Sequence, residues 1–188
     1  MIVAIMGFAG TGKSMLSVYL AARFKIFGNY EIISNMKEFK LRDYDLETDF
    51  IPIVDSIRAD RNIIKQPKQR LLHVDEIQQY LDSRESSTKK NKKLSKYFYQ
   101  IRKFGFDFIY TLQDFYSLDI RLRRITEMFM IPNYNKMTKI LSYDAYSTFG
   151  QYYGQYTVAI SDKILNLYDT FEDIDNSVIL LEFFILII

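Results

Sequence analysis

The chain has no cysteine, no tryptophan and a single histidine among its 188 residues. Without cysteine there can be no disulfide and no thiolate metal site, which fits an intracellular setting. His73 has no second imidazole with which to share a metal. No stretch reaches the roughly eighteen apolar residues of a membrane-spanning helix. No signal peptide is visible either, because the apolar run Ile2 to Met6 leads straight into a glycine-rich turn. Glycine itself is scarce, yet three of the seven, Gly7, Gly10 and Gly12, fall close together. What is abundant is apolar and aromatic: 48% of residues are hydrophobic, with 15 Tyr and 15 Phe, so the chain is not of the disordered class. Its length predicts one domain, residues 1–188, with a sizeable core.

Residues 7–14 read Gly-Phe-Ala-Gly-Thr-Gly-Lys-Ser, the G-x-x-x-x-G-K-S phosphate-binding loop called Walker A. It sits between an apolar strand pattern and a helical one, the context that the motif requires. Gly7, Gly10 and Gly12 let the backbone turn tightly, so that its N–H groups, with that of Thr11, aim at phosphate oxygens. The helix N-terminus adds positive potential there. Lys13 then reaches the β- and γ-phosphates, and the Ser14 hydroxyl is placed to ligate Mg²⁺.

A second apolar run, Leu71 to Val74, ends in Asp75 and Glu76. A buried strand closed by two carboxylates is the Walker B form. Asp75 is the expected Mg²⁺ holder, directly or through water, and Glu76 the residue that polarises an attacking water. Neighbours on a strand point to opposite faces, but a turn at the strand end brings both to the crevice. His73, inside this strand, reads as a hydrogen-bonded core residue rather than a ligand. A third apolar run, Asp107 to Leu112, ends in Gln113. Strand ends of an open parallel sheet border the ligand crevice, so Gln113 is either a γ-phosphate sensor that orients water or a plain turn residue.

The net charge of +2 hides a strong asymmetry. Residues 84–103 carry eight basic side chains and one acidic, whereas residues 104–188 carry six basic and eleven acidic. The cluster Lys89, Lys90, Lys92, Lys93 and Lys96 follows Walker B directly. Read as a solvated face it needs no partner. Read as a contact surface it neutralises nucleic-acid phosphates without reading bases, with Tyr97 and Tyr99 as candidate stacking groups.

Periodicity predicts strands at 2–6, 31–34, 71–74, 108–112 and 128–131. Helices are expected at 13–27, around 53–60, at 77–81, 94–104 and 118–125, with a mobile loop over 83–93. This alternation argues for a mainly parallel sheet with helices on both faces. From residue 133 onward Tyr, Ser, Thr and Gly increase, and Tyr156 to Ile160 alternates like an antiparallel or edge strand. The expectation is a core at 1–132 with a β-rich elaboration at 133–188. The apolar tail 178–188 is open to several readings: a core-packed terminal element, a docking or membrane-surface segment, or the stump of a longer span.

The run from Ile101 to Gln113 resembles a signature of the FtsK–HerA superfamily of DNA-pumping ATPases. There Walker B is followed by an Arg-Lys-Phe-Gly element and a strand ending in Gln. The Leu118-Asp119 pair resembles the next segment of that signature. Ile33-Ser34-Asn35 and Leu167 to Glu172 resemble the zonula occludens toxin-like assembly ATPases of filamentous phages, a compact viral branch beside genome-packaging ATPases. The resemblance implies a RecA-like P-loop α/β fold and ATP hydrolysis with Mg²⁺. It also implies double-stranded DNA as cargo and a homo-oligomeric ring, usually a hexamer. It carries Lys13, Ser14, Asp75, Glu76 and Gln113 to the roles above. It also asks for an arginine against the γ-phosphate, in its own subunit or the next. Arg102 lies in the matched element and is preferred over Arg121, Arg123 and Arg124. Phage assembly relatives usually add a membrane span and a periplasmic part. Neither is visible here, so the expectation leans to cytoplasmic packaging of a viral genome, with capsid or assembly proteins as partners and association with the virion or membrane surface left open. The alternatives are an ATPase for virion extrusion or DNA transfer at a membrane, and a non-motor ATP-binding switch or scaffold.

Overall fold

A computed structural model describes residues 1–59, 68–81 and 89–167. Its centre is β1 (Ile2–Met6), an uninterrupted apolar run flanked on both sides by parallel partners, as expected of a strand buried on both faces. The chain then alternates. Helix α1 (Lys13–Gly28) leads to β2 (Glu31–Ser34) and the two-residue β3 (Tyr44–Asp45), and α2 (Phe50–Ala59) precedes β4 (Arg70–Val74). After the short α3 (Gln78–Leu81) and α4 (Lys89–Phe98) come β5 (Phe106–Leu112), α5 (Ile120–Ile125) and β6 (Met128–Asn135). The hairpin β7 (Ile140–Ser147) and β8 (Tyr152–Ala159) and the one-turn α6 (Asp162–Leu165) follow. The strands form one sheet in the order β3-β2-β4-β5-β1-β6-β7-β8, parallel as far as β6 and antiparallel beyond it. The α/β class and the mainly parallel sheet are as the sequence predicts.

Two apolar layers cover the sheet. One packs Phe50 and Val54 of α2 and Leu94, Tyr97 and Phe98 of α4 over Ala4, Leu72 and Phe108. The other packs Leu16, Val18 and Ala22 of α1 over Val3, Ile5, Leu71 and Ile109. Among the described residues, no helix is long and apolar enough to cross a membrane.

Several boundaries differ from expectation. The loop expected over 83–93 gives way to helix from Lys89, because lysine is a good helix former and needs no apolar partner on the solvent side. That helix stops at Phe98, not Phe104. A separate 3₁₀ turn, Ile101–Phe104, ends at Gly105, whose left-handed backbone (φ 74°) donates its N–H to Arg102 and Ile101. Leu94, Tyr97, Phe98 and Ile101 still form one buried stripe. Strand β6 runs past Ile131 to Asn135, with Pro132 inside it. β1 pairs only with Met128 to Met130, so the proline nitrogen lies where no ladder partner needs it. The segments 83–88, 168–172 and 178–188 of the sequence reading lie outside the described residues.

Candidate functional site

The carboxyl ends of β1, β2, β4 and β5 converge, and the polar residues of the site leave from them. The phosphate loop turns out of β1 into α1 through Gly12, whose φ of 94° is left-handed. A Cβ there would also stand 2.8 Å from Cβ of Tyr134, so no side chain fits. The Tyr134 N–H donates to the Thr11 carbonyl at 3.1 Å, fastening the loop to β6. Within the loop, the Thr11 hydroxyl and the Lys13 ammonium both donate to the Phe8 carbonyl, at 2.9 and 3.0 Å. Lys13 is buried, so its charge is held inside the loop rather than in solvent.

Asp75 is the hub. The Ser14 hydroxyl donates to its two carboxylate oxygens at 3.1 and 3.0 Å, across 61 residues of sequence. Thr111 on β5 donates its hydroxyl to Oδ1 at 2.6 Å. Asn35, the first residue past β2, clamps the Asp75 backbone from both sides: its carbonyl accepts the Asp75 N–H and its amide donates to the Asp75 carbonyl, each at 2.8 Å. Glu76 follows with a left-handed φ of 52°, a conformation unusual for a residue with a side chain. It breaks the alternation that would send adjacent strand residues to opposite faces. Its N–H donates to Thr111 Oγ1 at 2.8 Å, and Oε2 accepts from Gln79 at 2.8 Å. Thr111 thus orients both acids.

His73 is wholly buried on β4, hydrogen-bonded on both nitrogens, to Ser34 and to Ser17. Burial pushes its pKa down to about 4, so the ring is neutral. This matches the core residue expected from sequence. No group of three or more His, Cys, Asp or Glu side chains suited to a metal occurs among the described residues.

The structure brings Lys13, Ser14, Asp75 and Glu76 together and places Gln113, exposed, one residue beyond the end of β5. Since β5 lies between β1 and β4, that position borders the same crevice. Arg102 is elsewhere. Its guanidinium pairs with Glu127 and donates to the Ile125 carbonyl, and the Glu127 N–H bonds Ile2 at the amino end of β1. The length of β1, about 16 Å at roughly 3.3 Å per residue, separates it from the phosphate loop. Among the other arginines, Arg121 grips Asp119 through Nε and Nη2 at 3.0 and 2.7 Å and lies 4.3 Å from the Tyr99 ring centre. Arg123 faces Tyr116, and Arg124 is exposed.

The basic stretch is on α4 and beyond it. Lys93 pairs with Asp55 at 2.6 Å, and the buried Tyr97 hydroxyl bonds the same carboxylate, which these contacts hold below its ordinary pKa. Tyr97 therefore offers no free face for stacking, and Tyr99 is half-buried beneath Arg121. Lys96, Arg102 and Lys103 are exposed. The side chains of Lys89, Lys90 and Lys92 lie outside the described residues.

Sequence reading missed Thr111 and Asn35 as site residues. Both carried a signal: each is a polar residue at or next to the carboxyl end of an apolar parallel strand, where ligand crevices form.

Taken together, the strand order, the loop from β1 into α1 and the acids closing β4 define a P-loop nucleoside triphosphatase fold. More narrowly, the chain belongs to the zonular occludens toxin (Zot) family, whose model matches residues 1–169. No curated protein sequence matches it. It is similar to the N-terminal domain of zonular occludens toxin from Neisseria meningitidis, at 20% identity and TM-score 0.57 over 89% of this chain and 98% of that one. It is also similar to the DNA-packaging ATPase of Sulfolobus turreted icosahedral virus, at 15% identity and TM-score 0.54, covering 85% and 98% of the two chains. The pCW3 conjugation coupling protein TcpA, in a monomer form with an ATP analogue, superposes with TM-score 0.62 at 13% identity, covering 88% of this chain and 64% of that one. The resemblance to zonula occludens toxin-like and packaging ATPases thus meets both a family model and solved folds.

Proposed function

We propose that the chain is an Mg²⁺-dependent ATPase that moves double-stranded DNA during assembly of a virus particle. The observation that carries the ATPase reading is the Ser14–Asp75 contact at 3.0–3.1 Å, which joins the two halves of a nucleotide site; the DNA and virus parts draw on the family match and the likeness to a DNA-packaging ATPase. The donor set fits the ion: a hydroxyl and a carboxylate are hard oxygen ligands, and Mg²⁺ commonly takes only one or two from protein and the rest from phosphates and water. Ser14 and Asp75 would hold the ion, which would supply charge neutralisation to the phosphate oxygens. The loop amides and Lys13 hold the β- and γ-phosphates. Glu76 takes the proton of the attacking water, and Gln113 orients that water. Thr111 and Asn35 hold Asp75 and Glu76 in place.

Arg102, at the far end of the sheet, serves only a neighbouring subunit in a ring, where it stabilises charge on the γ-phosphate. The DNA path runs along the basic stretch that contains Lys89, Lys90, Lys92 and Lys96, with Lys103 and Arg124 extending it. Lys93, tied to Asp55, contributes less than the sequence alone suggests. Genome packaging is the first reading. Virion export at a membrane is the second, favoured by the family match over residues 1–169. ATP turnover measured with and without double-stranded DNA, beside particle size in ATP, tests the proposal. DNA-stimulated turnover by a ring is expected. A stable monomer that binds ATP without DNA-stimulated turnover would make the chain a switch or scaffold. Membrane fractionation separates packaging from export.

A further inference from the structure

A second polar chain runs through the core beneath the nucleotide site. His73 stands two residues before Asp75 on β4, and Ser34, Ser17 and His73 are all wholly buried. Imidazole Nδ1 lies 2.9 Å from Ser34 Oγ on β2, and Nε2 lies 2.9 Å from Ser17 Oγ on α1. The outer partners assign the protons. The Ser17 hydroxyl donates to the Ser14 carbonyl at 2.8 Å, so it accepts from Nε2–H. Ser34 Oγ accepts the Met36 N–H at 3.0 Å, which leaves its own proton for Nδ1. Every member therefore both donates and accepts, and the Phe39 ring closes the site edge-on, 5.5 Å from the imidazole.

Holding the strands together does not need this chain. Ser34 and His73 are already opposite one another in the parallel ladder. Replacing both partners of a buried hydrogen bond with apolar groups of like shape is nearly neutral. What a fully satisfied buried network adds is one fixed geometry. Here it fixes the first turn of α1, which carries Ser14, against the strand that ends in Asp75. An apolar contact between the same elements tolerates sliding; a directional chain from imidazole to hydroxyl to the Ser14 carbonyl does not.

We propose that His73 is a positioning residue for the metal side of the nucleotide site: through Ser17 it sets the first turn of α1 on β4 and keeps the Ser14 hydroxyl at Asp75. The inference rests on the nucleotide site proposed above and involves no contact between His73 and nucleotide. Two substitutions separate the ends of the ring. Gln at 73 carries its amide to the place of Nε2 and still reaches Ser17, whereas Asn stops near Nδ1 and reaches only Ser34.

The dissociation constant of a fluorescent ATP analogue, measured in excess Mg²⁺ and in EDTA, gives a ratio that reports the metal's share of binding. Wild type, Ser17→Ala, His73→Asn and His73→Gln are compared, with melting temperatures alongside. A merely structural loss lowers the melting temperature and leaves the ratio alone. The expected result is a ratio reduced about tenfold or more in Ser17→Ala and His73→Asn, the usual scale for a group that orients a metal ligand, and restored in His73→Gln. An unchanged ratio in Ser17→Ala overturns the proposal even where His73→Asn does not fold. A ratio in His73→Gln as low as in His73→Asn overturns the route through Nε2. A wild-type protein whose binding ignores Mg²⁺ overturns the metal-site reading itself, before any substitution is considered.

Discussion

Around Asp75, polar groups from α1, β5 and the ends of β2 and β4 are tied into one cluster by bonds of 2.6 to 3.1 Å. On the outer helices three cations are instead each paired with one nearby acid: Lys93 with Asp55, Arg102 with Glu127, Arg121 with Asp119. The difference is one of consequence. A surface pair exchanges one solvated arrangement for another and is worth at most about 1 kcal/mol. In the cluster each group orients the next, so removing one member displaces the others. The first region is built to hold atoms still; in the second a single contact can change without moving its neighbours.

Removing the cation of the neighbouring phosphate loop has the largest expected effect. Lys13→Ala removes the proposed counter-charge of the β- and γ-phosphates, and equilibrium binding should show the loss of tight ATP affinity; retained affinity would move the phosphates elsewhere. Next comes Thr111→Val, which keeps the side-chain shape but removes the hydroxyl shared by Asp75 and Glu76. Turnover should fall by roughly 10–100-fold, as for other groups that orient a metal ligand, and wild-type kcat would show that the cluster is not interlocked.

The surface pairs sharpen the comparison from the other side. Arg102→Ala should barely change the melting temperature, yet lose turnover if the arginine serves a neighbour. Mixing inactive Arg102→Ala with inactive Glu76→Gln should then recover part of the activity, and mixed rings without recovery would reassign that arginine. The smallest expected effect belongs to Lys89, Lys90, Lys92 and Lys96 replaced by Ser. DNA affinity should weaken, and its salt slope should become shallower by roughly 0.9 for each phosphate that is no longer neutralised, with sequence preference unchanged. An unaltered slope in a binding titration would make these lysines a solvated stretch that needs no partner.

Much of this was legible in the sequence where one residue's chemistry suffices. The phosphate loop, the acids closing β4 and the strand ending at Gln113 have distinctive patterns, and each lies at the end of an apolar run that could only be a central strand. Thr111 and Asn35 carried only the weak signal of a polar residue at the end of an apolar strand; their importance comes from which strands are neighbours, and that order is a property of the sheet. Helix α4 differs from the expectation at both ends for a related reason. Its first turn has no apolar residue to mark it, and its stop depends on the backbone at Gly105. The two-residue β3 is too short to carry any period.

On the proposed function, the cluster at the strand ends hydrolyses ATP and does not merely bind it. ATP binding and turnover of Glu76→Gln, measured side by side with wild type, test it most directly. Loss of the water's proton acceptor should leave ATP affinity intact and slow hydrolysis by about 10²–10⁴-fold. Hydrolysis by Glu76→Gln at the wild-type rate would show that Glu76 is not the proton acceptor.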